Sequence, residues 1–211
     1  MNLGQWIVIL LSALMGGWYL IGAIINRKRG MLTFSWLRSG LERWGKLSEA
    51  RWIGSSGSGA RLVVGQPASP FQRIEVVFLL ESREILPLWI FNHLRGKRDE
   101  MIIKANLRSA PSQEFEAALN GARDFKSILA GGQKKPFELL PAPQGFEMAR
   151  RGKQDDQEIE RLSGFLSRHA GTVWRISLQR KAPHLILRAN LPSLQEKPPE
   201  EFFDEVKQLV R

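Results

Sequence analysis

Residues 6–25 read WIVILLSALMGGWYLIGAII, twenty positions without a charge, and residues 26–29 that follow read NRKR. At about 1.5 Å rise per residue, a helix of this length is about 30 Å long, the thickness of a bilayer's hydrocarbon core. A retained single transmembrane helix is therefore expected over residues 1–26. A cleaved signal peptide would carry positive charge before its apolar core and a small-x-small site after it. Here Met1 to Gln5 contain no Lys or Arg, and the basic triad Arg27, Lys28 and Arg29 follows the core. The positive-inside rule places the triad and all that follows in the cytoplasm, with the N-terminus outside the cell membrane. Ser12/Gly16 and Ala13/Gly17 are small pairs at i, i+4 spacing. Such spacing lets two helices approach closely, so self-association stands beside ordinary membrane-helix composition as a reading of them.

Outward from the anchor, residues 33–47 read TFSWLRSGLERWGKL. Phe34, Leu37, Leu41 and Trp44 recur at helical spacing on one face, while Arg38, Glu42, Arg43 and Lys46 take the others. The spacing predicts a basic juxtamembrane amphipathic helix within residues 27–48. Its apolar stripe has two readings: the lipid headgroup boundary, with Trp36 and Trp44 as anchors, or packing onto the following domain. Residues 54–59, GSSGSG, lack the Gly-Lys-[Ser/Thr] of a phosphate-binding loop and predict a hairpin turn between strands near 50 and 62.

The net charge is +10 and there is no Cys. Without Cys there are no disulfides, thiolate nucleophiles or Cys-ligated metals. The excess charge falls with distance from the anchor: +5 over residues 27–60, +3 over 61–111, +2 over 112–154 and zero over 155–211. A nucleic-acid-binding module carries its basic patch on the folded domain. A gradient next to the membrane instead matches attraction to anionic headgroups, about 1 kcal/mol per basic residue near the surface.

The domain is organised by a repeat. Residues 101–109, MIIKANLRS, resemble residues 185–193, LILRANLPS, with five of nine positions identical. Each copy leads through Pro into an acidic, helix-like stretch, 111–121 in the first and from Pro198 in the second. Each is preceded by an alternating strand, with Ile74, Val76, Phe78 and Leu80 on one face of the first and Trp174, Ile176 and Leu178 on one face of the second. The expected fold is α+β: the anchor, then an internally duplicated antiparallel sheet domain of strand-strand-helix units. The halves are residues 49–123 and 134–211, with a hairpin over 136–150 and a helix over 155–169. Lys104, Asn106, Arg108, Arg188 and Asn190 point away from the apolar face, as a solvated surface or as a basic platform. No aromatic interleaves them, which argues against base stacking.

The second copy closes its hairpin with a short turn at residues 181–184, whereas the first inserts residues 82–99. That insertion reads as a helix, apolar nearly all round, with Trp89 and Phe91, ending in Arg95, Lys97 and Arg98. It is too short to span a bilayer. Either it dips into the membrane face or it covers one end of the sheet as core. Arg27, Lys28, Arg29, Trp36, Trp44, Trp89, Phe91, Arg95, Lys97 and Arg98 are thus the candidate lipid- or partner-binding residues. His93, His169 and His184 are scattered and have no metal-spaced partner in sequence, and no nucleophile or dinucleotide motif is present. The reading is a membrane-anchored, cytoplasm-facing scaffold or accessory protein. It is expected to have no catalytic activity, cofactor or metal, and to lie against anionic lipid. The alternatives are a membrane-tethered nucleic-acid binder and an enzyme acting on lipid or envelope precursors, for which a pocket joining His93 to distant carboxylates would be the sign.

Overall fold

The computed structural model describes residues 2–130, 136–152 and 155–210. The order of elements is α1 (Leu3–Glu42), β1 (Leu47–Trp52), β2 (Gly59–Val64), β3 (Phe71–Leu79), α2 (Leu86–Leu94), β4 (Glu100–Leu107), β5 (Gln113–Leu119), α3 (Arg123–Ala130), β6 (Glu138–Leu140), β7 (Phe146–Gly152), α4 (Asp156–Arg168), β8 (Val173–Leu178), β9 (Leu185–Asn190), α5 (Leu191–Leu194) and α6 (Pro199–Leu209). Among the described residues the strands form one nine-stranded sheet in the order β1-β2-β3-β4-β9-β8-β5-β7-β6, and every pairing is antiparallel. The fold is α+β with a long apolar helix at its start. Position 134, the expected start of the second half, lies outside the described residues.

The apolar run and the amphipathic stripe that follows it belong to one helix of 40 residues. It starts in a capping box: the Gln5 N–H donates to Asn2 Oδ1 and the Asn2 N–H to Gln5 Oε1, each at 3.0 Å. Nothing between residues 26 and 32 breaks it, because Gly30 alone lacks a Cβ and there is no Pro. The separate juxtamembrane helix expected over 27–48 is therefore corrected to the second half of α1, which stops at Glu42, and residues from Leu47 are strand. Leu37, Leu41 and Trp44 are fully buried in the main core.

Alternation works as the sequence predicts in the centre of the sheet. Met101, Ile103 and Ala105 of β4 and Leu185, Leu187 and Ala189 of β9 are buried on one face. Helices α1, α4 and α6 cover that face, contributing Leu37, Leu41, Leu162, Phe165, Phe202 and Phe203 to one cluster. The two similar segments are direct neighbours: Met101 pairs with Ala189, Ile103 with Leu187 and Ala105 with Leu185. The opposite face is covered at one end by α3, whose Phe125 packs on Ala118 and Ala149.

Two expectations change. Residues 113–119 form strand β5 rather than a helix, held between β7 and β8 with Phe115 and Ala117 on the core face. Pairing on both sides outweighs the weak strand preference of Glu and Ala. In β8 the register shifts between Val173 and Arg175, so Val173 takes the buried place expected for Trp174.

Candidate functional site

The buried face of α1 runs Gly22, Asn26, Gly30, Thr33, Leu37, Gly40 and Leu41, steps of three and four that wind along one side of the helix. It begins three residues before the end of the apolar run, so the domain already touches the last turn of the would-be membrane span. Close approach is what the glycines supply. A Cβ on Gly22 would sit 2.3 Å from the Arg83 carbonyl oxygen, and one on Gly30 would sit 1.7 Å from that of Ser56.

The segment facing this stripe is residues 81–99. Asn26, fully buried, donates through Nδ2 to the Glu81 carbonyl oxygen at 2.9 Å and to Glu84 Oε1 at 3.2 Å. Its Oδ1 accepts from Arg83 Nη1 at 2.9 Å. Asp99, 2% exposed, takes the Arg83 guanidinium in a two-pronged bond of 3.0 and 2.9 Å. It also accepts from Arg29 at 3.1 Å and from the Glu81 N–H at 2.7 Å. A carboxylate buried as deeply as Asp99 is tolerable only with such partners. Two turns above Asn26, Trp18 Nε1 donates to the Arg83 carbonyl at 2.8 Å, and the Trp18 and Trp89 rings lie 5.5 Å apart. Four successive turns of α1 are thus fastened to the insertion.

The insertion forms α2, as its apolar pattern predicts, and α2 has no buried residue. It does not cover the sheet as core. Phe91 is 54% exposed and Leu94 81%, with Ile85, Leu88 and Ile90 also exposed. Arg95 lies over the Phe91 ring at 4.7 Å, Lys97 is exposed, and Arg98 donates to the His93 carbonyl at 2.9 Å.

Of the sequence-predicted residues, Arg29 joins the Asp99 cluster, Trp89, Phe91, Arg95, Lys97 and Arg98 lie on α2 or just after it, and Arg27 and Lys28 are exposed on α1. Trp36 and Trp44 are elsewhere and face the domain. Trp36 donates to the Lys197 carbonyl at 3.1 Å and lies 5.7 Å from Phe203. Trp44, 1% exposed, stacks on Phe71 at 4.7 Å. A headgroup role for Trp44 is corrected, because its indole is enclosed in the core. Gly16 and Gly17 face open space. Sequence reasoning missed Trp18, Gly22, Asn26, Arg83 and Asp99. The one available signal was the small and polar spacing Gly22, Asn26, Gly30 running out of the apolar stretch.

His93 does approach a carboxylate: its Nδ1 lies 3.6 Å from Glu81 Oε2 and accepts from Arg98 at 3.3 Å. The Glu81 side chain is 1% exposed and also lies 3.8 Å from Arg83 Nη2. His169 is buried against Phe165 and Phe202, and burial holds its pKa below the ordinary histidine value. Glu116, buried between β5 and β8, has its pKa raised by burial, opposed by the Ser177 hydroxyl and by Arg175 at 3.3 Å. Among the described residues no group of His, Asp or Glu is arranged to hold a metal ion.

The open sheet face is charged in both signs. Arg61 bonds to Glu75 at 2.7 Å and to Glu49 at 3.1 Å, and Arg188 pairs with Glu100. Lys104 and Asn106 share an open cavity of about 360 Å³ with Arg73 and Glu75. Arg108 is spent on the carbonyls of Phe71 and Pro67.

No protein-family model matches the chain, and no curated protein is significantly similar to it.

Proposed function

We propose that the protein is a single-pass membrane protein, N-terminus outside, whose cytoplasmic sheet domain serves as a non-catalytic scaffold or accessory subunit held rigidly at the inner leaflet. The observation that carries this is the continuity of α1. Its first half is long, apolar and exposed, its second half is part of the domain core, and no linker lies between them. The Asn26–Arg83–Asp99–Arg29 cluster fixes the rotation of the helix against the domain. Such a mount gives the sheet one orientation toward the bilayer, which suits assembly with neighbours at a set height. In the same reading the β3–β4 and β8–β9 hairpins are two copies of one ancestral unit, meeting at Ile103 and Leu187. A nucleic-acid role finds little support on the open face, where Glu75 and Glu100 answer Arg61 and Arg188.

Because the chain has no Cys, single cysteines report its topology cleanly. In intact cells a membrane-impermeant maleimide labels Leu3→Cys at once and Lys181→Cys only after permeabilisation; the reverse pattern overturns the orientation. Release of the chain by alkaline carbonate removes the anchor. For the scaffold role, cross-linked membranes yield the full chain together with a partner in fixed proportion, and recovery of the chain alone contradicts it. Salt-dependent binding of the full chain to DNA or RNA would favour the nucleic-acid alternative.

A further inference from the structure

The insertion between β3 and β4 is apolar, exposed and pinned beside the part of α1 whose composition matches a bilayer interior. Trp89 of α2 sits against Trp18, and Trp18 precedes the end of the apolar run at Ile25 by seven residues, about 10 Å along the helix. Helices that lie in the membrane interface bury their apolar side to about 5–10 Å. Building on the anchored reading above, we infer that α2 is a second membrane element: a short helix embedded in the cytoplasmic leaflet, with acyl chains around Leu88, Phe91 and Leu94 and anionic phosphates at Arg95 and Lys97.

Three observations converge on lipid as the occupant. The exposed side chains Leu88, Ile90, Phe91 and Leu94 spread over nearly half of the circumference of α2, the side turned away from Trp18, and Ile85 extends the patch before the helix. An apolar face this broad, beside a helix whose own apolar half is exposed, fits a fluid apolar medium. The level is set by α1, because Gly22 lets the backbone at Arg83 and Glu84 close onto it and the Trp18 indole is bonded to the Arg83 carbonyl. If α1 spans, α2 cannot stand clear of the bilayer without breaking these contacts. The charge also has the right sign, since α2 is followed by Arg95, Lys97 and Arg98, and the next residue, Asp99, bonds to Arg29 of the basic triad. Aromatic and cationic residues at one end of an apolar segment match the headgroup boundary.

The test uses the full chain in vesicles of mixed phosphatidylcholine and phosphatidylglycerol, with a nitroxide on one cysteine at a time: Leu14→Cys, Phe91→Cys, Leu94→Cys or Lys181→Cys. All but Leu14 lie outside the apolar run of α1, and the side chains at 91 and 94 are exposed, so labels there leave the core intact. Collision with dissolved oxygen reports lipid, and collision with a water-soluble nickel complex reports solvent. The expected oxygen-to-nickel ratio at 91 and 94 is close to that at 14 and several-fold above that at 181. Water-like values at 91 and 94 with a lipid-like value at 14 overturn the inference and leave the anchor standing. A water-like value at 14 removes the anchor and the inference with it. Labels at 91 and 94 that are immobile and shielded from both reagents mean a protein covers α2, and this too overturns the assignment to lipid.

Discussion

The β3–β4 and β8–β9 hairpins place similar residues at the centre of the sheet and close in different ways. The second turns within residues 181–184, where His184 Nδ1 accepts the Leu107 N–H at 2.9 Å. The first leaves the sheet at residue 80 and returns at Glu100, and Asp99 Oδ1 accepts the Glu81 N–H at 2.7 Å. Both use a side chain to satisfy a strand-end donor, so closing the sheet needs only a turn and an acceptor. What the longer connection adds is a hold on α1: Asp99 bonds to Arg29, Arg83 bonds to Asn26, and the Arg83 carbonyl accepts from Trp18. The difference teaches that the longer connection serves α1 rather than the sheet.

The sharpest way to break this comparison is at its two acceptors. Asp99→Ala leaves the Arg83 guanidinium buried without its carboxylate and is expected to cost about 3–5 kcal/mol in denaturant unfolding of the full chain in detergent. A loss near that of an exposed ion pair, below about 1 kcal/mol, would mean the cluster does not fasten α1. The paired centre tests the likeness of the two hairpins: Ile103→Ala and Leu187→Ala, both fully buried and facing each other, are each expected to cost about 2–5 kcal/mol. Their double mutant should fall short of the sum, because they share one cavity; strict additivity would contradict the shared packing. His184→Ala removes one imidazole acceptor and is expected to cost about 1 kcal/mol, several times less than Asp99→Ala.

The second half also carries a pH dependence. Burial holds the His169 imidazole below the ordinary value of 6.5; Glu205, 3.3 Å away, opposes this, and Lys197 and Arg168 reinforce it. The unfolded chain therefore takes up this proton at higher pH than the folded one. The stability that His169 contributes is complete above the unfolded value and declines as pH falls from there through the lower folded value. Urea unfolding across that range should show the decline, and His169→Leu should flatten it; an unchanged slope removes His169 as its source. The smallest effect belongs to α2 itself. Phe91→Ser and Leu94→Ser touch no core contact and should shift detergent stability by less than about 0.5 kcal/mol, so a larger shift would place α2 in the fold after all.

Much of the architecture was legible because it repeats with a period. The twenty uncharged positions of α1, the alternation of β3, β4 and β9, and the Leu162, Phe165, Leu166 face of α4 follow from which side of an element must leave water. The insertion was legible only by subtraction, from a second hairpin that closes without it. Residues 113–119 were misread because Gln-Glu-Phe-Glu-Ala-Ala-Leu has a helical composition, and only the neighbours β7 and β8 make it a strand. The Phe34–Trp44 stripe had the right spacing and two possible partners, and α6 with β2 took it.

By itself the sequence determined that this chain begins with a helix long and apolar enough to cross a membrane, that positive charge follows at once, and that alternating strands build what comes next. These are local properties, set by side-chain chemistry at fixed spacing along one element. Only the tertiary structure decided that the helix continues unbroken into the domain core, and that Asn26, Arg83 and Asp99, up to 73 residues apart in sequence, meet in one buried cluster. The physical reason is that a buried charge needs partners, and partners brought from distant segments leave no periodic trace in the chain that carries them.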